Sequence, residues 1–336
     1  MTFAPNTHFV AVRLSALGDV VLTSGVLTHW HRTRGWTFSV VTRKGIAPVL
    51  ENNPAVTEIL PVPDDALQPA PWLHFIRDLK TSHGRFPLVD LHGSLRTRIL
   101  RALWPAKTAA YPKKSLERRL FLKTRLDLFG AELRRTSVPQ RYALALESSP
   151  PPRQDLVPHM YLRNEEQQHI ADTLALPAGP LIGLHPYSTH PAKEWDRASW
   201  LALVDRLKAR NLPWIVIGRD PAPLVPDSPR DLTNRTSLRE TAAVLAACTC
   251  LVTGDSGPMH MASAVNTPVV AIFGPTSREW GFYPCGPDDM VLKESFSCAP
   301  CSLHGRKGCT RDYACMRAVT PDQVFSAVAD IASCRS

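Results

Sequence analysis

Two short stretches, more than two hundred residues apart, carry residue types that can do chemistry. The first, residues 251–276, reads LVTGDSGPMHMASAVNTPVVAIFGPT. Its pattern is strand, tight turn, helix, Pro-broken loop, strand. Gly254, Asp255, Ser256 and Gly257 are small and let a ligand approach the backbone. Pro258 suits a first helical position, where its missing N–H is no loss. The free N–H groups and the positive end of the helix dipole then face an anion, and a diphosphate is the expected occupant. Asp and Ser are also ordinary N-cap residues, so the turn alone reads equally as a plain capped strand-to-helix junction. Gly-Asp-Ser-Gly also surrounds a protease nucleophile, but here Pro follows where that motif wants Gly and the flanks read α/β.

The second stretch is Arg13-Leu14-Ser15-Ala16-Leu17-Gly18-Asp19-Val20. Residues 9–14 form an apolar, β-branched run that reads as a buried strand, and 15–19 turn into a helix over 20–30. In doubly wound α/β domains ligands meet the carboxyl ends of strands, where Asp19 falls. An acid in a first helical turn is also favourable with the dipole. Three further groups accompany these two. His92 and Arg96 follow the strand-like 87–91, and Lys193 sits in a loop after the strand 181–185. Cys298, Cys301, Cys309 and Cys315 make a C-x2-C-x7-C-x5-C loop. Four thiolates so close in sequence suit a structural tetrahedral zinc or a mononuclear iron, with His304 a weaker donor. Their spacing is not that of the best-attested zinc modules, and reduced thiols without metal are the alternative.

The segment Asp255–His260, with Thr267-Pro268 and Phe273-Gly274-Pro275-Thr276, resembles the sugar-nucleotide motif of the ADP-heptose:lipopolysaccharide heptosyltransferase family, and residues 13–20 resemble that family's other signature. The resemblance implies a GT-B fold, two Rossmann-like domains facing a cleft. It also implies an inverting glycosyltransferase that moves heptose from ADP-heptose to a phosphorylated glycolipid acceptor, with no catalytic cofactor. By the same resemblance, Asp19 is the general base and Lys193 stabilises the leaving diphosphate. The donor contacts are Ser188, Thr189, Lys193, Asp255, Ser256, Gly257, Met259 and His260. Arg13, Ser15, Gly18, His92 and Arg96 face the acceptor. Another nucleotide sugar or a protein acceptor, a sugar-nucleotide epimerase on the same fold, and a nucleic-acid-binding protein are the competing readings.

The surrounding elements must position these groups. A chain of 336 residues suits two domains. The expected division is 1–155 for the acceptor and 156–320 for the donor, with a Pro-rich linker near 148–158. A terminal helix over 321–336 is expected to cross back onto the first domain, a placement that comes from the resemblance. Apolar residues make up 44% and charged residues 21%, a folded composition. The net charge of +9 calls for an anionic partner. Ten Lys or Arg against Glu117 lie between Arg96 and Arg125, with Trp104, Tyr111 and Phe121 interleaved. That basic run reads as attraction to the phosphorylated acceptor or an anionic membrane surface, in preference to nucleic acid. The first apolar stretch, 9–22, is broken by Arg13 and Asp19, so the expectation is no secretory leader, reduced thiols and a cytoplasmic, membrane-peripheral protein.

Overall fold

The computed structural model describes residues 3–177, 179–284, 286–303, 305 and 308–334. In chain order its elements are β1 (His8–Val12), α1 (Leu17–Arg34), β2 (Thr37–Arg43), β3 (Val56–Val62), α2 (Pro69–His83), β4 (Leu88–Asp90), α3 (Leu95–Ala102) and β5 (Thr108–Ala110). Then come α4 (Ser115–Thr124), α5 (Asp127–Arg134), α6 (Val138–Ala143), α7 (Asn164–Thr173), β6 (Ile182–His185), α8 (Arg197–Ala209), β7 (Trp214–Val216) and α9 (Leu238–Ala246). The chain finishes with β8 (Cys250–Gly254), α10 (Gly257–Ala264), β9 (Val269–Ile272), β10 (Met290–Leu292), α11 (Ala314–Arg317) and α12 (Pro321–Cys334).

The chain divides into two units, one of Met1–Lys114 with Thr136–Tyr161, the other of Ser115–Arg135 with Leu162–Ser336. The first unit holds a parallel sheet in the order β3-β2-β1-β4-β5. Its central strand, HFVAV, buries both faces, which is why it reads as an unbroken apolar run rather than an alternating one. On one face Phe9 and Phe38 stack 5.7 Å apart beside Trp30 and Trp36. On the other, Val10, Val12 and Leu88 pack against Trp72, Ile76, Leu100 and Trp104. The Pro-rich stretch expected as a linker belongs to this unit. The Pro151 carbonyl accepts from Gln140 Nε2 at 2.8 Å, and the His159 N–H donates to Ser24 Oγ at 2.9 Å. Gly25 of α1 admits this strap, since a Cβ there would overlap the Val157 carbonyl.

The second unit has its own parallel sheet, β10-β9-β8-β6-β7. Ser237 caps α9, with Glu240 closing the box. The terminal helix does not behave as expected. The apolar side of α12, Val324, Ala327, Val328 and Ile331, is built into the core of the second unit with Trp200, Val204 and Leu207 of α8. Arg206 of α8 also pairs with Asp322 at 2.6 Å.

Residues 115–135 also depart from the expected division. They precede the second domain in sequence yet belong to its unit. Phe121 of α4 and Leu133 of α5 bury against Trp280, whose ring meets Phe121 edge-on at 6.0 Å. Arg134 reaches Glu279 at 2.9 Å. The chain therefore passes between the units three times, after residues 114, 135 and 161. Among the described residues no helix is long and apolar enough to cross a membrane.

Candidate active site

In the first unit, Asp19 is the third residue of α1, just past the carboxyl end of β1. Its Oδ2 accepts the Ala16 N–H at 3.3 Å, closing the helix start. Its Oδ1 takes two stronger donors, the Arg13 guanidinium at 2.6 Å and the Tyr142 hydroxyl of α6 at 2.5 Å. Burial alone would lower the Arg13 pKa, but Asp19 and the nearby tyrosines raise it above its ordinary value. Burial, and then the Asp19 charge, push the Tyr142 phenol well up, so it stays protonated and donates. Two strong donors on one oxygen fix the orientation of the carboxylate.

Arg13, expected on the acceptor side, is enclosed within the first unit. It is 6% exposed, donates to the Leu91 carbonyl, and lies 5.1 Å from the Tyr142 ring centre. So enclosed, its guanidinium holds the Asp19 carboxylate. His92 comes beside this group and hydrogen-bonds the Ser15 backbone. Burial, then Arg13 and Lys113, lower its pKa to about 4, so it is neutral at pH 7. Its turn is built by Asp90, whose Oδ1 accepts the His92 and Gly93 N–H groups at 2.9 and 2.8 Å. Ser15, in the turn, and Gly18, at the start of α1, are half-buried. Arg96 stands on the outer part of α3 with Nε bound to the Leu67 carbonyl at 2.7 Å. Tyr142, Asp90 and Lys113 were missed in the sequence.

In the second unit, Ser256 is the N-cap of α10 and makes no side-chain cap bond. Its hydroxyl instead meets Thr253 Oγ1 at 3.0 Å and His185 Nδ1 at 3.3 Å. Burial lowers the His185 pKa to about 4, so this support is uncharged near neutrality. Lys193 Nζ pairs with Asp255 Oδ2 at 2.6 Å, and Thr276 donates to the same oxygen at 2.8 Å. Ser188 bonds the His190 backbone, which shapes the loop carrying Thr189 and Lys193. Met259 and His260 are buried. The turn thus combines a helix N-terminus, small residues and a lysine, a geometry suited to a diphosphate.

The cysteine loop backs this turn. The Cys301 N–H donates to the Pro275 carbonyl at 3.1 Å, next to Thr276. Gly305, at φ +78°, lies where a Cβ would come within 2.9 Å of Lys193 Cγ. Cys298, Cys301, Cys309 and Cys315 carry free thiols and line one cavity of about 10 Å³ with Ala192 and Pro275. The expected zinc or iron does not fit this arrangement. No group of three or more Cys, His, Asp or Glu among the described residues is placed to hold a metal ion. Burial, then the neighbouring thiols, raise the Cys301 and Cys315 pKa values. His304 lies outside the described residues.

The sequence pattern of glycosyltransferase family 9 (heptosyltransferase) matches residues 118–308. Lipopolysaccharide heptosyltransferase 1 of Pseudomonas aeruginosa is 28% identical over 326 residues, 89% of this chain and 86% of that protein. Lipooligosaccharide heptosyltransferase 2 of Haemophilus influenzae is 34% identical over 168 residues, 42% of this chain and 47% of that protein. Among solved structures, E. coli ADP-heptose LPS heptosyltransferase II superposes with a TM-score of 0.74 at 19% identity, over 98% of this chain and 99% of that one. This chain shares its α/β, GT-B fold, with two Rossmann-like parallel-sheet units. With that family pattern covering more than half of its length, the chain belongs to glycosyltransferase family 9, the heptosyltransferases, and is a transferase enzyme.

Proposed function

We propose that this enzyme transfers heptose from ADP-heptose to a sugar hydroxyl of a lipopolysaccharide inner-core acceptor, with inversion at the anomeric carbon. Asp19 takes the hydroxyl proton as the oxygen attacks the anomeric carbon in line. The bond from that carbon to the phosphate oxygen breaks, and its electron pair leaves with ADP. The α10 N–H groups, Ser256 and Lys193 receive the charge growing on the diphosphate. Asp255 and Thr276 orient Lys193, and Asp255 also reaches the heptose hydroxyls. His92 meets the acceptor as a neutral group. The donor and acceptor classes follow the names of the relatives, including the ADP-heptose enzyme of E. coli. No step passes through the cysteine loop.

The observation that carries this reading is the carboxylate of Asp19, oriented on Oδ1 by Arg13 and Tyr142 at a strand end where α/β enzymes place chemistry. The test follows ADP release and product formation with ADP-heptose and a heptose-deficient lipopolysaccharide. Asp19→Asn is expected to lower kcat by about a thousandfold while leaving the donor dissociation constant unchanged. Near-normal turnover by that variant contradicts the base assignment. Donor turnover without acceptor replaces transfer by epimerisation or hydrolysis.

A further inference from the structure

Helix α3 begins directly after the His92–Gly93 turn, capped by Ser94, which accepts the Thr97 N–H. Its inner side is ordinary: Thr97 and Leu100 are fully buried. Its outer side is not. Leu95 is 75% exposed, Ile99 37% and Leu103 44%, with Ala102 exposed between them. At a helical turn of about 100° per residue these four share one face. Arg96 and Arg98, both exposed, fall on opposite borders of that stripe. Residues 91–116 contain no Asp or Glu, and they add Arg101, Lys107, Lys113 and Lys114 to the two bordering arginines.

We propose that α3 docks the protein onto an anionic lipid surface. The Leu95–Ile99–Leu103 stripe enters the boundary between headgroups and acyl chains, and Arg96 and Arg98 pair with lipid phosphates on either side. An apolar face bordered by cations and lying in the interface plane is the pattern of peripheral helices. The acid-free stretch around it supplies the charge complementarity. A nucleic-acid surface would present aromatic rings for stacking, yet Trp104 and Phe121 of this basic run are each 7% exposed. A second copy of the chain, seated on the stripe about a two-fold axis, would bring like-charged borders together. The inference stands apart from the reaction, so an Asp19→Asn protein is expected to dock as well as the unsubstituted one.

The test is co-sedimentation of the full chain with vesicles of phosphatidylglycerol and phosphatidylethanolamine in equal parts, against vesicles of phosphatidylcholine alone. Binding to the anionic vesicles is expected, weakening as salt rises. Leu95→Ser with Ile99→Ser is expected to weaken it about tenfold through lost apolar contact. Arg98→Glu is expected to weaken it by about tenfold or more through lost charge. Leu103→Ser is a second, milder variant, and unchanged melting temperatures show that all of them fold. Binding to anionic vesicles no stronger than to phosphatidylcholine overturns the proposal, as does binding that the stripe variants leave intact. Binding to transfer RNA that displaces the vesicles, or a dimer that the leucine variants dissolve without any vesicle binding, also overturns it.

Discussion

The phenol of Tyr142 donates to Asp19 Oδ1 across 2.5 Å, although 123 positions separate the two residues. The same oxygen receives Arg13, so two elements besides α1 determine where the carboxylate points. Tyr142→Phe keeps the ring against Tyr111 and removes only the donor. A charge-assisted hydrogen bond is worth roughly 1.5–3 kcal/mol, so kcat is expected to fall by about tenfold or more, with donor affinity and melting temperature little changed. Steady-state kinetics beside donor titration separates this from a general loss of fold.

Lys193, held by Asp255 and backed by Gly305, invites a paired test. Lys193→Ala is expected to reduce kcat/KM about a hundredfold, the scale for removing one group that stabilises developing charge. Gly305→Ala adds a methyl beside the Lys193 stem at a φ of +78°. The strain costs about 1–2 kcal/mol, and the lysine is pushed off Asp255. A Gly305→Ala enzyme with wild-type kinetics would show that the cysteine loop does not support the lysine.

Arg239 grips both oxygens of Glu166, at 2.5 and 2.6 Å, fastening α9 to α7. The Arg239 hydrogen bond holds the Glu166 carboxyl down to about 2. A depressed carboxylate contributes stability that is complete above its unfolded value of 4.5 and is lost as pH falls through about 2. Glu166 is partly exposed, which screens the pair, so Glu166→Gln is expected to cost about 1 kcal/mol at pH 7. That difference should shrink progressively below pH 4.5 in urea titrations. A penalty that stays constant down to pH 2.5 would assign it to packing.

The four thiols around one small cavity give a compositional prediction. Protein purified under reducing conditions is expected to hold far less than one zinc or iron per chain by elemental analysis, and chelator should leave its melting temperature unchanged. One tightly held metal per chain would show that the loop rearranges to gather its sulfurs.

Both turns were legible in the sequence as strand-to-helix junctions, each written in consecutive residues. Asp255, Ser256 and Gly257 are small or polar in a row between β8 and α10, and Asp19 follows the apolar run of β1. The strands were legible as well, since parallel strands buried on both faces leave unbroken apolar runs such as 9–14. Tyr142 was not, because nothing local marks a tyrosine whose partner lies on another element. Residues 45–52, apolar enough to suggest a helix, give only a short 3-10 turn at Ala47–Leu50. Pro48 fixes a first turn there, and the chain soon leaves into β3. The basic run from 96 to 125 showed its charge but not its division. Trp104 and Phe121 pack inward while Leu103 and Leu116 face out, and its second half packs on Trp280, far downstream.

Trp280→Ala would remove the ring on which Phe121 and Leu133 close. A buried tryptophan truncation costs about 3 kcal/mol or more. Chemical denaturation is expected to show that loss, with proteolysis of the variant beginning within 115–135.

The three passages between units also govern how the protein can be dissected. A cut at the proline-rich stretch yields a fragment ending near 155 that still carries α4 and α5, with Phe121 and Leu133 stripped of the surface that shelters them. The complementary fragment lacks the same two helices. Neither piece is a self-contained folding unit, so separate expression should give sticky, insoluble material. Reassembly of the halves would require transplanting 115–135 through new loops, a rewiring that one scission cannot accomplish.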